Sequence, residues 1–106
     1  MTASGVTVIA CAYGDYWDTF SASWIASLEA CDPQPAAVVL ATDVPRPVPE
    51  WCENVVIGDA HMADYYNAAA QRARTEWVWG SGFDDTFLPD AFEPFESDAD
   101  CYFMPH

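Results

Sequence analysis

Apolar residues fall along this chain in two alternating rhythms. Val6-Thr7-Val8-Ile9-Ala10-Cys11-Ala12 is an almost unbroken run rich in β-branched residues, the pattern of a strand covered on both faces. Tyr13-Gly14-Asp15 interrupts it. Trp17, Phe20, Trp24, Leu28 and Cys31 then recur at three- to four-residue steps, which predicts a helix over about 16–30 with one core-facing stripe. Asp15 stands where that helix needs an N-cap, and Asp18 is favourable in its first turn. Asp32-Pro33-Gln34-Pro35 ends the helix, because proline cannot continue the hydrogen-bond ladder. A second buried strand is predicted over 36–42, ending at Asp43. Val44-Pro45-Arg46-Pro47-Val48-Pro49 then reads as an extended connection stiffened by proline.

A short third strand is predicted over 54–57, before Gly58-Asp59-Ala60. Met62, Tyr65, Tyr66, Ala69, Ala70 and Ala73 form the stripe of a second helix over about 61–74. Asp64, Asn67, Gln71, Arg72 and Arg74 fall off that stripe, and His61 reads as a surface residue at the helix start. A fourth strand follows over 77–81, with Trp77 and Trp79 on one face directed to the core and Val78 on the other. A short helix over 89–95 has Pro89 near its first position, and 101–104 reads as the beginning of a fifth strand. Such alternation predicts an α/β fold, a mainly parallel sheet with flanking helices joined by right-handed crossovers. In open sheets of this kind ligands collect at the carboxyl ends of the strands. Tyr13-Gly14-Asp15, Thr42-Asp43 and Asp84-Asp85 all fall at such ends.

Composition narrows the partners. The 106 residues make one domain, 52% hydrophobic and able to bury a core, with a formal net charge of -14 and only three basic residues, Arg46, Arg72 and Arg74. That surface disfavours nucleic acid and anionic membranes, and it repels a diphosphate unless a metal screens the charge. No apolar run approaches membrane-spanning length, and the amino-terminal residues carry no positive segment. Cysteines 11, 31, 52 and 101 form no CxxC pair, and His61 and His106 lie far from any cysteine pair, so a structural zinc site is not expected. The expectation is a cytoplasmic protein with reduced thiols, Cys11 acting as a small buried hydrophobe.

The stretch Glu76-Trp77-Val78-Trp79-Gly80-Ser81-Gly82-Phe83-Asp84-Asp85-Thr86-Phe87-Leu88-Pro89-Asp90 carries the chemistry. An apolar strand runs straight into two adjacent carboxylates. Taken alone, Asp84-Asp85 is what a solvated turn displays. At the carboxyl end of a strand, the same pair is suited to holding Mn²⁺ or Mg²⁺, with the remaining coordination positions left to substrate oxygens and water. There is no glycine-rich phosphate loop of the P-loop or dinucleotide type.

Over most of residues 6 to 104 the order of elements resembles the amino-terminal, nucleotide-sugar-binding half of a GT-A fold glycosyltransferase, similar to the large family 2 group. Val6 to Gly14 resembles the opening strand and its sugar-nucleotide loop. Ala37 to Leu40 with Thr42-Asp43 resembles the second strand, whose terminal acid contacts the nucleobase. Asn67 to Trp77 is similar to the asparagine-bearing helix that leads into the metal-site strand, and Gly82 to Phe92 resembles the metal-binding acidic motif. The resemblance implies a Rossmann-like GT-A half, truncated after about the fifth strand. It further implies a UDP- or GDP-linked sugar donor contacted by Tyr13, Asp15, Asp43, Asn67 and Asp84, and a divalent cation, Mn²⁺ or Mg²⁺, on Asp84 and Asp85. Gly82 stands where many relatives carry a further acid, and the arginine that often precedes the helix asparagine is missing. The acceptor-binding half, which holds the catalytic base of inverting members, is not matched, so no catalytic residue is assigned. A non-catalytic GT-A-like nucleotide-binding or protein-interaction module is the alternative. Each residue also has a structural reading: Asp15 as helix cap, Asp43 as strand-end turn, Asn67 as an exposed position, Tyr13 as packing for the sheet edge. An unfinished sheet exposes an edge, so a homo-oligomer is expected.

Overall fold

A computed structural model describes residues 5–93. Strand β1 (Val6–Ala12) is followed by helix α1 (Tyr16–Glu29), strands β2 (Ala37–Thr42) and β3 (Cys52–Val56), helix α2 (Met62–Ala70) and strand β4 (Trp77–Gly80). The four strands form one all-parallel sheet in the order β3-β2-β1-β4, an α/β arrangement consistent with a Rossmann-like fold. β1 is central and every one of its residues is buried, which is why its sequence is apolar at successive positions rather than alternately.

The helices lie on opposite faces. Trp24, Leu28 and Cys31 pack with Val6, Val8, Ala10, Ala12, Val38 and Leu40 on one side, joined by Phe83 and Phe92. Tyr65 and Ala69 pack with Ile9, Cys11, Val39 and Ala41 on the other. The chain steps from β1 outward to β2 and β3, then returns across the sheet to place β4 on the far side of β1. Two crossovers of one hand that travel in opposite directions put their helices on opposite faces, as seen here. The strand order therefore reverses between β1 and β4, the switch point at which open α/β sheets leave a crevice.

Several boundaries differ from the sequence reading. β3 begins at Cys52, two residues earlier than expected, because Cys52 and Glu53 pair with Val38 and Val39 of β2. Helix α2 stops at Ala70 rather than 74. Gln71, Arg72 and Arg74 are exposed, so a further turn would bury almost nothing, and most helix stability in proteins comes from burying a face. The short helix expected over 89–95 is, in its described part, a series of tight turns closed by Ala91 N–H to Leu88 O and Glu93 N–H to Asp90 O, 3.0 and 3.1 Å. The strand expected over 101–104 lies outside the described residues. Among the described residues no helix is long and apolar enough to cross a membrane.

Candidate functional site at the carboxyl edge of the sheet

The acidic turn is built around one buried aromatic. Phe83 is 2% exposed and lies between Trp17 and Trp24 of α1, with ring centroids 6.0 and 5.0 Å away. Burying that ring sends the next two side chains outward, and Asp84 and Asp85 are both exposed. The Asp85 amide donates to Gly82 O at 3.1 Å, closing a four-residue turn over 82–85. The carboxylates fold back over glycine: a Cβ at position 82 would lie 2.9 Å from Asp84 Oδ1 and 3.0 Å from Asp85 Oδ2. The two carboxylates therefore crowd the side of Gly82 on which a side chain would stand, so that any other residue there would have to displace them.

Neighbouring loops complete the edge. At the end of β1, Gly14 adopts φ +59°, a left-handed conformation that glycine takes without steric cost, and its amide donates to Asp43 Oδ2 at 3.1 Å. Asp43 Oδ1 accepts from the Val44 amide and from Arg46 Nη2, each at 2.9 Å. Arg46 Nη2 also reaches Gly14 O at 3.4 Å. Its backbone amide is held by Asn54 Oδ1 at 2.9 Å, while Asn54 Nδ2 donates to Leu40 O and Thr42 Oγ1. Asp43 therefore ties the loop after β1 to the loop after β2. Partial burial pushes its carboxyl up, but the Gly14 amide, the Arg46 guanidinium and the Val44 amide outweigh that and hold it below the ordinary carboxylate value.

A stability consequence follows for Asp43. A carboxyl whose pKa is lowered by folding contributes stability that is fully present above its unfolded value, near 3.9, and is lost as pH falls through the folded value. Asp43→Asn is expected to cost about 2 kcal/mol at pH 7, since hydrogen bonds to a charged group contribute about 1.5–3 kcal/mol. The gap between parent and variant in urea unfolding should shrink between pH 5 and about pH 3. A gap that stays constant with pH would rule out the charged network as its source.

The other residues marked from sequence lie as follows. Tyr13 is half-buried and stacks between Tyr65 and Tyr16, with centroids 5.1 and 5.7 Å away. Asp15 occupies the N-cap position of α1 without a side-chain bond to the helix; its carbonyl instead accepts from the Thr19 amide and hydroxyl. Its carboxylate is exposed on the same edge. Asn67 is exposed on α2, turned away from the buried pair Tyr65 and Ala69. The fold thus brings Gly14 and Asp43 into direct contact and folds Asp84 and Asp85 back against Gly82, while Asn67 projects outward from its helix.

Arg46, Ser81 and Tyr66 were not singled out as site residues in the sequence. Arg46 sits three residues beyond Asp43, a spacing that could have suggested their ion pair. Tyr66 lies in an apolar stripe, where the polar tip of a buried tyrosine must find a partner. It donates to Ser81 O at 2.7 Å. Burial, the adjacent Cys11 thiol and the charges of Asp85 and Asp84 push the Tyr66 phenol up to about 12, so it remains a neutral donor at neutral pH.

Among the described residues no group of three or more histidine, cysteine, aspartate or glutamate side chains is placed to hold a metal. Asp84 and Asp85 are the residues that could hold a divalent cation, and two carboxylates would leave most of its coordination positions to other ligands. No family model matches this chain, and no curated protein matches it.

Proposed function

We propose that this chain is a GT-A-like module that binds a nucleotide-sugar, UDP- or GDP-linked, with Asp84 and Asp85 holding a divalent cation against the diphosphate. The observation that carries this reading is the exposed pair Asp84 and Asp85 on the turn that follows β4, beside the switch point between β1 and β4. When bound, Mn²⁺ or Mg²⁺ held by Asp84 and Asp85 would supply positive charge that offsets the charge of a diphosphate. The protein's own groups have separate tasks. Asp84 and Asp85 supply hard oxygen ligands on a turn anchored by Phe83. The Asp43–Gly14 bond fixes the loop that carries Tyr13 and Asp15, so that the Asp15 carboxylate faces the nucleoside end. Tyr13, stacked between Tyr16 and Tyr65, lines it only by its edge. A net charge of -14 makes cation-dependent binding the expected behaviour, because an unscreened diphosphate is repelled.

Calorimetric titration with UDP- and GDP-sugars, with and without Mn²⁺, tests the reading. Binding that appears only with Mn²⁺ supports it, and equal binding without metal, or none under either condition, overturns it. Hydrolysis of the bound sugar-nucleotide would separate an enzyme from a non-catalytic module with the same site.

A further inference from the structure

β4 ends the described sheet with one side open. The amides of Trp77 and Ser81 donate toward β1, to Gly5 O and Ile9 O at 3.2 and 2.8 Å, and successive residues of a strand direct their backbone groups to alternate sides. The N–H and C=O groups of Val78 and Gly80 therefore point away from β1, and among the described residues no strand lies on that side. Side chains do not obstruct this edge. Val78 is 47% exposed, and a Cβ built at Gly80 would meet no atom within 4 Å. Exposed edges are commonly blunted by charge or proline. β3, at the opposite edge, carries Glu53, paired with Arg72 at 3.2 Å, whereas Trp77-Val78-Trp79-Gly80 has neither a charge nor a proline.

The chain itself brings a candidate to that edge. Phe92 is buried with its ring centroid 5.2 Å from that of Trp79, so the described residues end, at Glu93, beside β4. Thirteen residues follow, 94–106, and their longest apolar run is Cys101-Tyr102-Phe103-Met104, bounded by Asp100 and Pro105. The intervening residues 94–100 can span up to about 23–25 Å, while the residues of β4 extend over about 13 Å. The run therefore reaches either end of β4. A second copy fits this edge less well. Each copy carries a net charge of -14, which opposes self-association, and so short a strand offers far less than the roughly 1,200 Å² that a specific interface buries. A tethered segment meets neither obstacle, because the tether keeps it at about millimolar local concentration.

We propose that residues 101–104 occupy the open edge of β4 as a fifth strand, β5, giving the sheet order β3-β2-β1-β4-β5. Its backbone pairs with Val78 and Gly80. Its alternate side chains fall beside Trp79 and Phe92 on one face of the sheet and beside Val78 on the other. β4, which leads into the acidic turn, is then held on both sides. The inference does not depend on a cation at that turn.

The test is amide hydrogen exchange at Val78 and Gly80 in the full chain, read by nuclear magnetic resonance, with light scattering on the same samples. The expected result is exchange slowed at least about 100-fold relative to exposed peptide amides, unchanged on dilution, in a monomer. Tyr102→Pro and Phe103→Pro are compared, because one of two neighbouring residues must donate to β4 and proline cannot. At least one of them is expected to speed exchange at Val78 and Gly80 about tenfold or more, with Ala10 in β1 still protected. Ala99→Pro, outside the run, is the control and should match the parent. Fast exchange in the parent overturns the proposal and leaves the edge free for a partner protein. Protection that grows with concentration in a dimer overturns it in favour of a second copy. Protection kept in both proline variants overturns it too, since another segment would then cover the edge. Equal acceleration in Ala99→Pro, or at Ala10, does the same, because general loosening would then be the cause.

Discussion

The Asp84→Asn, Asp85→Asn double variant is expected to lose Mn²⁺-dependent nucleotide binding by at least about 100-fold, because removing direct ligands should exceed the 10–100-fold effect of removing their supporting partners. Asparagine keeps the size of aspartate and one acceptor oxygen, so the loss isolates charge from shape. The same substitutions should leave folding stability unchanged or slightly raised. Both side chains are exposed, and two adjacent negative charges in a protein already at -14 repel one another. Lost binding at full stability, measured by calorimetry and urea unfolding on the same preparations, would mark the turn as functional. Retained binding would show that the cation, if needed, sits elsewhere.

Phe83→Ala should show the opposite profile, with stability falling steeply. The ring fills the space between Trp17 and Trp24, and truncating a buried phenylalanine to alanine typically costs about 3–5 kcal/mol from lost transfer energy and the cavity left behind. Against total stabilities of about 5–15 kcal/mol for a domain, that is a large share. For a domain of this size it corresponds to a melting temperature lower by roughly 15–30 °C. Urea unfolding followed by tryptophan fluorescence reads it directly, since two indoles border the cavity. A cost under about 1 kcal/mol would mean that Phe83 is not the anchor of the turn. Phe83→Leu, which keeps most of the volume, should recover most of the stability yet still weaken Mn²⁺ binding, because the turn is then seated less firmly.

The elements that were legible in the sequence are those whose burial is set by one continuous pattern. β1 and α1 were readable almost to the residue, because an apolar run and a stripe of Trp17, Phe20, Trp24, Leu28 and Cys31 leave no competing period. Trp77 and Trp79 pack against the core as their alternation predicted, with Val78 on the other face. β3 was readable only roughly. At the outer edge of the described sheet it meets a neighbour on one side, so its sequence is mixed, and its placement depends on the Asn54 amide bonding Leu40 O and Thr42 Oγ1. The length of α2 was overread because alanine favours helix wherever it stands, whereas helix persists here only where Tyr65 and Ala69 meet the sheet.

The candidate site divides along the same line. That acids would gather at the strand ends was visible in the sequence, since Asp15, Asp43, Asp84 and Asp85 each follow an apolar run, and in a parallel sheet all such ends share one edge. By itself, then, the sequence determined the alternation of elements, the parallel sheet and the edge on which the polar residues fall, because hydrophobic periodicity is a local property. Only the tertiary structure decided that β4 lies beside β1, that Asp43 binds the Gly14 amide and Arg46, and that Tyr66 and Trp24 meet at Ser81. Those contacts join residues distant in sequence, Trp24 to Ser81 across 57 positions and Val6 to Trp77 still farther apart, and such pairings depend on how strands and helices pack together, which no local pattern encodes.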